Sequence, residues 1–152
     1  MPHEELIAEV ELEIERIEDL FNKYSPYLEK DRDTEPDFFE LGSLAMFLHS
    51  FYNGLENIFT RIAKRYDSIL PDGEHWHKEL LTQMASNNTA RDHPVLTEAT
   101  AQDLMMYLGF RHFSRHAYSF DLDWESMGPL ILSAKGTKDV TIKEITDFLE
   151  GL

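Results

Sequence analysis

The chain has no cysteine, which excludes a disulfide framework and any zinc site built on thiolates and leaves a reducing compartment open. It also has no long apolar run, and nothing approaches the ~20 residues needed to span a bilayer. Its first residues, Met1-Pro2-His3-Glu4-Glu5, lack the basic start and apolar core of a secretory signal. A soluble, cytoplasmic protein with no membrane partner is the expectation. Basic side chains are scarce as well: 14 Lys and Arg stand against 29 Asp and Glu, for a net charge of −15. That balance argues against a general polyanion ligand, because nucleic-acid binding needs cations to replace condensed counterions. The imbalance is local, however. Residues 1–40 carry 14 acidic and 4 basic side chains, net −10, and residues 41–152 carry 15 and 10, net −5. At 152 residues the chain fits one domain, residues 1–152, able to bury about two thirds of its unfolded surface.

Helical periodicity fills most of this length, with no internal repeat and no low-complexity linker. Ile7, Val10, Ile14, Ile17, Phe21 and Tyr24 recur at three- and four-residue steps, which predicts an amphipathic helix over residues 3–29 with its glutamates on a solvated face. After an acidic, proline-containing loop, Asp31 to Asp37, a second stripe runs from Leu41 through Leu48, Leu55 and Ile62 to Ile69. Pro71-Asp72-Gly73 marks a turn, and Glu74 to Ala85 reads as a short connecting helix. Past the polar loop Ser86 to Pro94, Thr97 or Thr100 can cap a fourth helix, with Thr100 and Asp103 resembling a capping box. Trp124 to Ala134, containing Pro129, predicts a fifth helix, and the capping box Thr141-Ile142-Lys143-Glu144 predicts a separate last one. The fold class is all-α, an antiparallel bundle of four to five principal helices.

The fourth helix carries Arg111-His112-Phe113-Ser114-Arg115-His116-Ala117-Tyr118, the pattern Arg-x4-His-x-Tyr. An arginine keeps its charge and offers a planar fork of donors to phosphate oxygens. Histidine exchanges a proton near neutral pH. Together they meet the minimal needs of metal-independent RNA cleavage, where a 2′-hydroxyl attacks phosphorus, protons are moved, and cations stabilise the phosphorane. One motif per chain supplies few groups. The same helix is apolar in every direction, from Leu104 to Phe113, so either its neighbours cover it or a second copy of the chain does. A homodimer through this helix would pair two Arg111 and two His116. Arg111 and His116, five residues apart, sit about 140° apart on an ideal helix. They can meet within one chain only if the helix ends or distorts near Tyr118.

The motif resembles the signature of the HEPN superfamily, specifically of HepT-like ribonuclease toxins. Further similar blocks are Phe51 to Phe59, Leu70 to His77, Leu108 to His112 and Phe120 to Trp124, so the resemblance spans roughly residues 5–132. It implies a helical homodimer that cleaves RNA at a cleft lined by paired motifs, needing no metal or other cofactor. It also implies a nucleotidyltransferase (MNT-type) antitoxin as partner, which transfers AMP to the motif tyrosine, here Tyr118. On that resemblance Arg111 binds phosphate, His116 transfers protons, His112 assists and Tyr118 is the switch. Arg115, Arg61, Lys64 and Arg65 are candidates for guiding RNA, and the acidity of the chain favours a short, specific target such as tRNA.

Other readings of the same residues stay open. Arg111 and Arg115 can be structural partners of carboxylates such as Asp121 or Asp123. His112 and His116, with His75 and His77, have ligand spacing for zinc, but no Glu follows His112 as in helical metalloproteases, so no metal site is assigned. His49, Asn53 and Glu56 lie along one side of the second helix, as support for a cleft or simply as its polar edge. The chain can also be a catalytically silent HEPN dimerisation or binding module associated with a nucleotidyltransferase.

Overall fold

A computed structural model describes residues 3–30 and 34–152; Met1, Pro2 and the first part of the acidic loop, residues 31–33, lie outside the described residues. Five α-helices form the bundle: α1 (Glu4–Leu28), α2 (Phe38–Ile62), α3 (Trp76–Met84), α4 (Glu98–His116) and α5 (Trp124–Glu150). No strand occurs among the described residues.

The centre of the bundle is α2, which packs against all four other helices. Its apolar residues leave almost no polar stripe, and Phe47, Phe51, Leu55, Ile58, Phe59 and Ile62 are all fully buried. Asp37 caps its start by accepting from the Glu40 amide at 2.9 Å. α1 lies close along it: a Cβ added at Gly54 would fall 2.7 Å from Ile17 Cγ1, so glycine is what permits that approach. The glutamates of α1 are not the uniformly solvated face expected from their spacing. Glu9 and Glu13 pair with Arg61, Glu5 and Glu9 with Arg65, and Glu18 with Lys138 of α5.

α2 leaves regular geometry in a π-turn, Ala63–Asp67, and Ser68 then adopts a left-handed conformation at φ 58°. The turn places Asp67 inside the protein, where Arg91 reaches it from the loop before α4. Arg91 donates through Nε and Nη2 to the two carboxylate oxygens at 2.7 and 2.8 Å, and both side chains are sealed from solvent. Gln83 adds a bond to Asp67 at 2.8 Å, and Arg91 also donates to the carbonyls of Ser86, His93 and Gln83. The polar loop is therefore pinned by a buried network in which every N–H group of the Arg91 side chain finds an acceptor.

Three expectations change from α3 onward. Trp124 to Ala134 and the segment after Thr141 are one continuous helix, α5, with no break at Gly136 and no cap at Thr141, whose side chain is buried mid-helix. Glu144 caps another helix instead: it accepts from the Thr97 amide at 2.7 Å and from the Thr100 hydroxyl at 2.6 Å, at the start of α4. Thr97 is the N-cap there, accepting from the Thr100 amide, and Thr100 and Asp103 form no box. Nor is α3 merely a connector, since Leu80, Leu81 and Met84 are fully buried. Among the described residues no helix is long and apolar enough to cross a membrane.

Candidate active site

α4 buries Leu104, Tyr107 and Phe110 against the bundle, and that orientation sets where every motif residue goes. Tyr107 anchors the helix to α5, donating to the Leu130 carbonyl at 2.8 Å. Arg111, one turn beyond Tyr107 and Leu108, turns inward over α2. Its Nη1 donates to Glu56 Oε1 at 2.8 Å, with 12% of the arginine side chain and 8% of the glutamate side chain exposed. The guanidinium also lies 5.9 Å from the centroid of the Tyr52 ring. Burial first, then the charge of Glu56, pushes the Tyr52 phenol far above its ordinary value, although Arg111 acts against the rise. Arg111 Nε is buried with no acceptor. This arginine is charged, held by one hand and incompletely satisfied, unlike Arg91.

The second oxygen of Glu56 is also taken: His77 Nδ1 sits 2.8 Å from Oε2. A single buried carboxylate thus joins α2, α3 and α4. Arg111 and His77, with His112 and Arg115, line a cleft of about 380 Å³ between the start of α3 and the middle of α4. Arg111 pairs with Glu56 rather than with Asp121 or Asp123. Those two have local duties, Asp121 accepting from the Tyr118 amide and Asp123 capping α5.

The helix stays regular through His116 and only Ala117 turns extended. His116 therefore does not swing toward Arg111. Its ring packs edge-on to that of His112, centroids 5.3 Å apart, and both histidines are exposed. Tyr118 lies beyond the helix end, 71% exposed, its ring stacked on Phe120 at 5.1 Å. A second cleft, about 310 Å³, runs along the other side of α4 past His49, Arg115 and Tyr118. Burial, followed by the charges of Arg111 and Arg115, lowers the His49 imidazole below its ordinary value. Arg115 is exposed and borders both clefts.

Arg61, Lys64 and Arg65 are not brought to this site. They line a separate depression with Asn57 and Thr60, and Arg61 and Arg65 are committed to α1 glutamates. Among the described residues no group of three or more His, Asp or Glu is arranged to hold a metal ion. Sequence reasoning named His77 only as a zinc candidate and within a family-like block, and left Glu56 open as cleft support or as a polar edge. The available signal was weak: one glutamate, Glu56, in the interior of the most apolar helix.

An all-helical bundle that sets an Arg-x4-His motif beside a cleft, with a tyrosine at the motif's end, has the architecture of the HEPN superfamily. Residues 43–152 match the family of HepT-like proteins, and the chain belongs to it. The match begins inside α2 and runs to the end of α5, so α1 falls outside it, whereas the resemblance read from the sequence blocks covered residues 5–132. No curated protein and no solved structure matches the chain.

Proposed function

We propose that this chain is a metal-independent endoribonuclease, the toxin of a HEPN/MNT toxin–antitoxin pair of the type VII kind, acting as a homodimer on RNA such as tRNA. The observation that carries the reading is the convergence of Arg111, His112 and Arg115 on one cleft, within a HepT-like fold. Arg111 supplies a fixed cation for the scissile phosphate, and histidines move the protons. His116 enters through the dimer. Met106, Gly109, Phe113 and His116 follow one another at steps of three, four and three residues and are all exposed, a stripe with apolar members on the outer side of α4. Apart from its chain neighbours and the helix's own backbone, nothing among the described residues lies within 4 Å of a Cβ placed on Gly109. A mid-helix glycine costs about 1 kcal/mol relative to alanine and has no packing reason within one protomer. Close approach of a second α4 supplies one, and brings two His116 to the same axis. Tyr118 stands exposed next to the motif, where an added AMP would place a phosphate and a bulky nucleoside in competition with RNA.

The test is cleavage of total and transfer RNA in EDTA by the wild-type protein and by His116→Ala, with the new ends analysed for cyclic phosphate. Cutting by the wild type, reduced about 10²- to 10⁴-fold in the variant, is the expected result. One observation favours a second reading, a silent HEPN dimerisation or binding module that partners a nucleotidyltransferase: Arg111 is already neutralised by Glu56. No cutting, in protein shown by mass to lack AMP on Tyr118, would favour that module.

A further inference from the structure

The cleft contains an imidazole that the Arg-x4-His motif does not include. His77, in the first turn of α3, commits Nδ1 to Glu56 Oε2 at 2.8 Å. Against an ionised carboxylate, Nδ1 must carry the hydrogen, so the lone pair of the neutral ring resides on Nε2. Among the described residues Nε2 has no hydrogen-bond partner. Trp76 stacks on the ring, centroids 3.6 Å apart, which restricts its rotation. The other oxygen of the same carboxylate holds Arg111. A base with a fixed tautomer and a phosphate-binding cation are therefore tied to one buried anchor in one chain.

We propose that His77 is a catalytic base of this site and that Glu56 is its positioning residue; the proposal rests on the ribonuclease reading above. In the step, Nε2 of His77 takes the proton from the ribose 2′-hydroxyl as the O2′–P bond forms. The P–O5′ bond breaks, and an imidazolium of α4 gives its proton to the departing 5′-oxygen. One proton is taken and one is given, no water is consumed, and the products are a 2′,3′-cyclic phosphate and a 5′-hydroxyl. Glu56 favours the imidazolium formed on His77, as carboxylates paired with catalytic histidines do. Each protomer then carries its own base, and the motif histidines of α4 are left to act as acids.

The discriminating variant is His77→Asn. The asparagine amide presents an N–H near the position of Nδ1 and preserves the bond to Glu56, but nothing replaces Nε2. Expected, in the wild-type dimeric protein's tRNA cleavage assay, is a fall in kcat of about 10²-fold or more with unchanged KM and unchanged melting temperature. A merely structural histidine would be rescued by asparagine, so wild-type kcat in His77→Asn overturns the proposal while leaving the ribonuclease reading intact. A wild type that cuts no RNA overturns both. If His77→Asn does not fold, ring-nitrogen NMR of the wild type decides. Addition of a nucleoside 3′-monophosphate, which keeps the 2′-hydroxyl and has no P–O5′ ester to break, shifts the His77 Nε2 signal if the assignment holds, and an unmoved signal at saturating ligand overturns it.

Discussion

Among the arginines of this protein that face buried carboxylates, Arg91 and Arg111 do so in opposite ways. Arg91 grips Asp67 with two parallel hydrogen bonds, spends further N–H groups on three carbonyls and is closed to solvent. Arg111 meets Glu56 through one N–H, leaves Nε orphaned, shares its carboxylate with His77 and borders a cleft. An arginine that satisfies all its donors internally has nothing left for a ligand. One that leaves a donor buried and unpaired retains an unmet demand of about 1–3 kcal/mol, which a phosphate oxygen can meet if the side chain shifts toward the cleft. The first arrangement holds a loop, and the second leaves a donor facing no partner beside a cleft, as the proposed phosphate-binding role requires.

The largest effect that separates the pair is on stability. Arg91→Ala strands a buried Asp67 and is expected to cost about 3–5 kcal/mol, read by thermal or denaturant unfolding. Arg111→Ala leaves Glu56 with His77 as a partner beside an open cleft, and its loss should be well below that of Arg91→Ala. Equal destabilisation would erase the distinction. For the proposed ribonuclease activity the order is expected to reverse, with Arg111→Ala losing about 10²- to 10³-fold in RNA cleavage, the size typical of a lost transition-state donor.

Acid unfolding sharpens the comparison at a smaller scale. Burial alone would raise the Asp67 carboxyl, but the bonds from Arg91 and Gln83 outweigh it and hold it below its ordinary value. A depressed carboxylate contributes stability that is complete above its unfolded pKa, near 3.9, and is lost as pH falls through the lower folded value. Below about pH 4 the wild type should therefore lose stability more steeply than Asp67→Asn, which starts lower. Parallel acid limbs would contradict this account.

The smallest effect is at His49. Its lowered imidazole owes most to burial and less to Arg111 and Arg115. In an NMR titration it should give up its proton below the ordinary histidine range, rise partway in Arg115→Ala, and stay below that range. A full return would mean that charge, and not burial, controls it.

Much of this protein was legible along the chain because helices announce themselves locally. The stripe from Ile7 to Tyr24 gave α1, the second stripe gave α2 from Leu41 to Ile62 but not as far as Ile69, and Thr97, one of two candidate caps, marked a real helix start. The motif, too, needs only spacing to be noticed. Local signals failed where a side chain serves a distant element. Thr141 and Glu144 have the spacing of a capping box, yet Glu144 crosses to α4, 47 residues away from its Thr97 partner. The α1 glutamates look solvated by pattern, yet Arg61 of α2 and Arg65 of the π-turn recruit Glu5, Glu9 and Glu13. Asp67 and Arg91, 24 residues apart, offer no periodic cue at all.

The sequence by itself determined the all-helical class, the helix that bears the motif, and the chemistry the motif can perform, since each follows from residue type and from a 3.6-residue period. Only the tertiary structure decided which groups share a cleft. It kept His116 on the outer face of α4, turned Arg111 inward onto Glu56, and brought His77 to the same carboxylate. The reason is that periodicity fixes a side chain's bearing around its own axis, whereas which carboxylate lies opposite depends on how three helices pack, and a lone Glu56 inside an apolar stripe records nothing of its partners.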